Sequence, residues 1–109
     1  MIEYNFGDLE YIHSRCEELA EDKTYNEISI LLAEELAELT QCLMKYERYI
    51  VKDKALSDDI NQISENLYEE ISDVIVSLFQ FIYVFNFSYG KIIRKCNEKL
   101  DRTFETLNK

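Results

Sequence analysis

Two short runs place acidic residues where helical patterning calls for apolar ones. In AEELAELTQ, Glu35 falls inside the arc set by Ile28, Leu32, Leu39 and Leu43 at about 100° per residue, and Glu38 lies at its edge. In YEEISDV, Glu70 flanks an apolar stripe and Asp73 sits one turn on, on the same side. Residues three apart share a helix face, so Glu35 with Glu38 and Glu70 with Asp73 form two carboxylate pairs. Two antiparallel helices would bring the pairs together. Burying unpaired carboxylates costs several kcal/mol, a penalty that a cation between them removes. Hard divalent cations take oxygen ligands, and Mg²⁺ combines a few carboxylates with water and substrate phosphates. The pattern therefore points to Mg²⁺, with Mn²⁺ as a substitute, and to a phosphorylated substrate. Glu34 and Glu69, each preceding a proposed ligand, would orient a ligand or take a proton from the attacking water.

One such pair carries little weight, because ExxE is common on any acidic helix and most of these glutamates are solvated. The conjunction of two pairs, each preceded by a glutamate and each intruding on an apolar stripe, carries more. A di-iron centre would need a Glu-x-x-His step on each of two helices, whereas the single histidine, His13, lies in another segment. No base pairs recognisably with Cys16, Cys42, Cys96 or any serine, and there is no glycine-rich phosphate loop.

The elements that must position these groups read as four helices. The first opens near Asp8 as N-cap and carries Leu9, Ile12, Cys16, Leu19 and Ala20 before breaking near Asp22. The second starts at Thr24, with Glu27 placed to reach back, and its stripe runs Ile28, Leu31, Leu32, Leu36, Leu39, Leu43, Tyr46. Residues 50–56 read as a loop leading to a cap at Ser57, with Asp58 and Asp59 in the next turn. The third helix carries Ile60, Ile63, Leu67, Ile71, Val74, Leu78, Ile82 and Phe85, and from Val74 to Phe87 it is apolar almost all round. That stretch is too short for a bilayer, which takes about 20 residues, so protein should cover it on several sides. After a turn at residues 86–90, the last helix sets Ile92, Ile93, Cys96, Leu100, Phe104 and Leu107 opposite a basic face of Lys91, Arg94, Lys95, Lys99 and Arg102.

Composition agrees with an all-α chain. The sequence has 109 residues, no proline and two glycines, so 1–109 reads as a single helical domain. Apolar residues at 47% can supply a core, and 12 basic against 22 acidic side chains give a net charge of -10. That charge repels nucleic acid and anionic membranes, leaving neither as an expected partner. Three widely spaced cysteines indicate free thiols, and a start without a basic, apolar leader makes the cytoplasm the expected location.

EELAEL at 34–39 followed by EEISDV at 69–74 resembles the MazG-like, all-α nucleoside triphosphate pyrophosphohydrolases, and the resemblance covers most of the chain. It implies a four-helix bundle-like subunit in a homodimer or homotetramer. It further implies Mg²⁺ held by Glu35, Glu38, Glu70 and Asp73, with Glu34 and Glu69 as catalytic candidates. Lys45 and, in NEKLDR, Asn97, Lys99 and Arg102 are similar to family positions that hold the substrate's phosphates. The implied reaction converts a nucleoside triphosphate and water to the monophosphate and pyrophosphate. The competing expectation is an acidic helical interaction module without catalysis, which accounts for the charge but not for carboxylates on apolar faces.

Overall fold

The computed structural model describes residues 3–52 and 57–108, and the side chains of 50–52 and 57–59 are not among what it describes. Four α-helices follow in order: α1 (Phe6–Ala20), α2 (Tyr25–Tyr46), α3 (Ser57–Val84) and α4 (Tyr89–Leu107). The chain is all-α, with no strand among the described residues.

Local chemistry explains most helix ends. α1 begins three residues earlier than an Asp8 cap would place it. Asn5 is the N-cap: its side chain accepts from Asp8 N–H at 3.0 Å, while Asp8 Oδ2 accepts from Asn5 N–H at 3.0 Å. Asp8 is thus the reciprocal partner in a capping box. Gly7 leaves room for this arrangement, since a Cβ there would meet Asn5 Oδ1 at 3.0 Å. Thr24 caps α2 as expected, accepting from Glu27 N–H at 3.1 Å. The Glu27 carboxylate accepts from the Thr24 hydroxyl, at 3.2 Å.

At its other end α2 does not fray into a loop at residue 50. It widens into a π-helical segment, Glu47–Lys52, and the remainder of the expected loop and the Ser57, Asp58 and Asp59 cap chemistry lie outside the described residues. α3 ends in a Schellman turn. Asn86 N–H donates to Tyr83 O at 3.1 Å and Phe87 N–H to Ile82 O at 3.0 Å, with Asn86 left-handed at φ 58°. Asparagine tolerates that conformation. Gly90 is not part of the turn, because Ser88 already caps α4.

α3 is the central element, packed against both α2 and α1. α2 and α3 run antiparallel: Tyr25, at the start of α2, meets Phe85 just beyond α3 at 5.1 Å between ring centroids, whereas Lys45 near its end shares a cavity wall with Gln62 and Ile63. α1 lies on α3 through His13 stacked on Phe79 at 4.2 Å. α4 departs from these three. It is tied in at its first turn by Tyr89 against His13 at 4.6 Å, and further along Ile93, Leu100, Phe104 and Leu107 stay between 55% and 73% exposed.

The resulting core is small. Cys16, Ala20, Ile28, Ile63 and Ile82 are its buried apolar residues. The apolar stretch of α3 is covered less than its composition demands, with Ile75, Leu78, Tyr83 and Phe85 exposed. The chain presents 8926 Å² to solvent, against roughly 6,300 Å² for a compact monomer of its mass. Its radius of gyration is 17.2 Å, where about 13 Å is typical of this length. No described helix is long and apolar enough to cross a membrane.

Replacing Asn86 by alanine forces a β-carbon without a polar side chain into the left-handed well, and should cost about 1 kcal/mol in urea denaturation; Asn86→Gly should cost nothing or stabilise slightly. Equal losses in both variants would mean that the Asn86 side chain, and not its φ, holds the turn.

Candidate metal centre

Antiparallel packing of α2 on α3 brings the two acidic motifs face to face. One carboxylate oxygen from each of Glu35, Glu38 and Glu70 falls within 4.8 Å of the others. Glu35 and Glu70 are half-buried and Glu38 is exposed at the rim. The fourth expected ligand, Asp73, is not one of that trio, but it lies one turn from Glu70 and near enough for its charge to bear on both Glu35 and Glu70.

The inner oxygens of this cluster lack compensation. Glu35 Oε2 and Glu70 Oε2 are fully buried and have no hydrogen-bond partner among the described residues. Burial pushes the Glu35 carboxyl above the ordinary glutamate range, and the charges of Glu38, Asp73, Glu70 and Glu34 push it further. Glu70 is raised in the same way, by burial first and then by Glu38 and Asp73, with a contact to Glu38 and the charge of Glu69 adding to it. Two acceptor oxygens turned inward among like charges make an all-oxygen, hard donor set. It suits a hard cation better than softer metals, which seek thiolate or imidazole. The nearest alternatives do not supply such ligands: Cys16, Cys42 and Cys96 are free thiols scattered over three helices, and His13 is engaged in the α1–α3 ring stack.

Glu34 and Glu69 are exposed beside the cluster, the first acting on Glu35 and the second on Glu70 through charge. Lys45 is exposed on the same groove and lines a cavity with Tyr49, Gln62, Ile63 and Asn66. Asn97, Lys99 and Arg102 are not gathered at the site within this chain. They stand exposed on α4, where Lys99 and Arg102 border a shallow depression with Thr103, Thr106 and Leu107. Gln62 and Asn66 went unremarked in the sequence, although a signal exists: Gln62, Asn66, Glu70 and Asp73 follow one another at helical steps, so the polar face of α3 extends well beyond the carboxylates. No protein-family model, curated protein or solved structure matches the chain.

The raised pKa values of Glu35 and Glu70 fix a direction for pH dependence. Their neutral forms favour the folded chain, so this contribution to stability is complete below the unfolded pKa and is lost as pH rises through the folded one. Metal-free protein should therefore melt higher in mild acid than at neutral pH, over the window just above the ordinary glutamate value. At neutral pH Mg²⁺ or Mn²⁺ should restore the lost stability, and the restoration should shrink on acidification as protons compete. Glu35→Gln should raise the metal-free melting temperature and weaken the metal response. A Glu35→Gln protein that melts lower than wild type without metal would show the carboxylate to be a structural partner instead.

Proposed function

We propose that the chain is a subunit of a MazG-like, Mg²⁺-dependent nucleoside triphosphate pyrophosphohydrolase. The observation that carries this reading is the pair of buried oxygens on Glu35 of α2 and Glu70 of α3, without a hydrogen-bond partner among the described residues, with a carboxylate oxygen of Glu38 within 4.8 Å of one on each. A protein that used its acidity only to attract a partner would keep these groups in water, where they cost nothing.

In this reading Glu35, Glu38, Glu70 and Asp73 hold the cation, which when bound neutralises charge on the triphosphate as pyrophosphate leaves. Glu34 and Glu69, exposed at the edge, are placed to orient the attacking water and take its proton. Water adds to the α-phosphorus, the bond from that phosphorus to the bridging oxygen breaks, and the electron pair departs with pyrophosphate. Monophosphate remains.

The phosphate tail needs cations, and among the described residues Lys99 and Arg102 stand away from the cluster within this chain. They lie with Asn97 on α4, a helix whose apolar residues Ile93, Leu100, Phe104 and Leu107 are exposed. The surface in excess of a compact monomer, about 2,600 Å² per chain, matches what each subunit contributes to the larger obligate interfaces. In this reading the protein is a homodimer or homotetramer, in which α4 of one copy would cover apolar surface of another and complete a four-helix bundle there. Lys99 and Arg102 then approach the neighbour's carboxylates, and the charge of -10 is offset where it is most concentrated.

Incubated with Mg²⁺ and a panel of ribo- and deoxyribonucleoside triphosphates, the protein should release pyrophosphate from at least one. Glu38→Gln and Asp73→Asn should each lower turnover by about 100-fold or more, since losing a ligand should exceed the 10- to 100-fold effect of losing its support, without loss of helical signal. Mixing inactive Glu38→Gln chains with inactive Arg102→Ala chains should recover activity if the site is shared between subunits. A folded, oligomeric wild type that cleaves no nucleotide would return the chain to the class of acidic interaction modules.

A further inference from the structure

The groove between α2 and α3 continues past the carboxylates. Because the helices are antiparallel, moving toward the C-terminus of α2 means moving toward the N-terminus of α3. Lys45 stands seven residues beyond Glu38, on the same face and about 10 Å along the axis, while Asn66 stands one turn before Glu70. At that level a cavity of about 290 Å³ opens, lined by Lys45, Tyr49, Gln62, Ile63 and Asn66. Small-molecule sites begin at about this size.

The lining is chemically specific. Gln62 Nε2 donates to Asn66 Oδ1 at 2.9 Å. That bond leaves Gln62 Oε1 able to accept and Asn66 Nδ2 able to donate, so an acceptor and a donor are fixed side by side. Ile63 is buried and apolar beneath them. Tyr49 is 40% exposed, with the Arg48 guanidinium 5.8 Å from its ring centroid. It belongs to the π-helical segment, whose wider turn departs from the α-helical spacing of side chains. An aromatic face beside an adjacent donor and acceptor is the set that stacks on a nucleobase and reads its edge.

We propose that this cavity receives the base of the nucleotide whose phosphates the carboxylate cluster holds, with Tyr49 stacking on the base and Gln62 and Asn66 reading its edge. The proposal rests on the pyrophosphohydrolase reading and adds to it the residues that choose the substrate. With phosphates at Glu38 and Glu70, the sugar and base extend along the groove, and this cavity lies within their reach. The cavity at the opposite end, bordered by Lys23, Thr24, Tyr25 and Tyr83, is about three helical turns from Glu35, too far for the same molecule. Stacking tolerates any base, so Tyr49 contributes affinity. The paired carboxamides contribute discrimination, because a base that leaves one of them unmatched strands a polar group.

The test is a set of kcat/KM values for all four bases, as ribo- and deoxyribonucleoside triphosphates, with Mn²⁺ affinity of each variant measured separately. Wild type should prefer one base. Gln62→Ala and Asn66→Ala should narrow the spread between best and worst base by about tenfold, through KM, with Mn²⁺ affinity unchanged. Asn66→Asp keeps the shape but exchanges a donor for an acceptor, and should reorder the preference, which a merely structural residue would not do. Tyr49→Ala should raise KM for every base by about tenfold, and Tyr49→Phe should restore it. If wild type cleaves nucleotides while these variants keep its ranking and KM, the base lies elsewhere and the pyrophosphohydrolase reading stands. If wild type cleaves none, both proposals fall.

Discussion

Mutual repulsion among carboxylates is the constraint to which the rest of the molecule answers. α2 and α3 could have closed over apolar side chains along their full contact, yet at one level they turn Glu35, Glu38 and Glu70 toward one another, with Asp73 one turn away. The cost is visible in the raised pKa of Glu35 and Glu70 and in two buried oxygens without a donor among the described residues. Such a cluster persists only if the remaining contacts between the helices outweigh it, protons neutralise it or a cation removes it. With a core this small, the first route has little to draw on.

That small core and the exposed α4 are two sides of one fact. Exposed apolar residues run along α2 as Leu36 and Leu43, along α3 as Ile71, Ile75 and Leu78, and along α4 as Ile93, Leu100, Phe104 and Leu107. Each set has helical spacing, so these are faces and not scattered side chains. Among the described residues these faces are left uncovered, and the proposed homo-oligomer would cover them. The basic residues of α4 border one such face, so apolar burial and charge compensation would be achieved by the same docking event.

How far the sequence discloses all this depends on the range of the interaction involved. Helix identity and the Thr24 cap are local, and the residues within one turn determine them. The convergence of Glu35, Glu38 and Glu70 was also legible, because a charged residue inside an apolar arc is itself a local anomaly. Three features were not. The start of α1 was misplaced because Asn5 and Asp8 are both good caps, and only their reciprocal bonds show which one leads. What covers Leu78 and Phe85 was not legible, since an apolar residue reveals its preference for burial but not whether its own chain meets it, and both are exposed here. The cavity at Tyr49, Gln62 and Asn66 joins residues from two helices, one in a π-helical turn, whose separation no periodicity encodes.

Register between α2 and α3 is the remaining requirement, because sliding one helix by a turn would part the two motifs. Leucine and isoleucine faces tolerate such slips, so apolar packing specifies register weakly. A polar contact specifies it well. Gln80 is only 2% exposed, and its Oε1 accepts from Lys23 Nζ at 2.7 Å, just before α2 begins. Its Nε2 donates to Val76 O at 3.3 Å, and nearby Ser77, also buried, donates to Asp73 O at 2.8 Å. A shift of one turn, about 5.4 Å, would leave Gln80 Oε1 buried without its donor and withdraw Glu35 from Glu70. The two polar residues that interrupt the greasiest stretch of α3 are therefore not defects in the core. Ser77 bonds within α3, and Gln80, through Lys23, aligns the helices so that the acidic side chains meet.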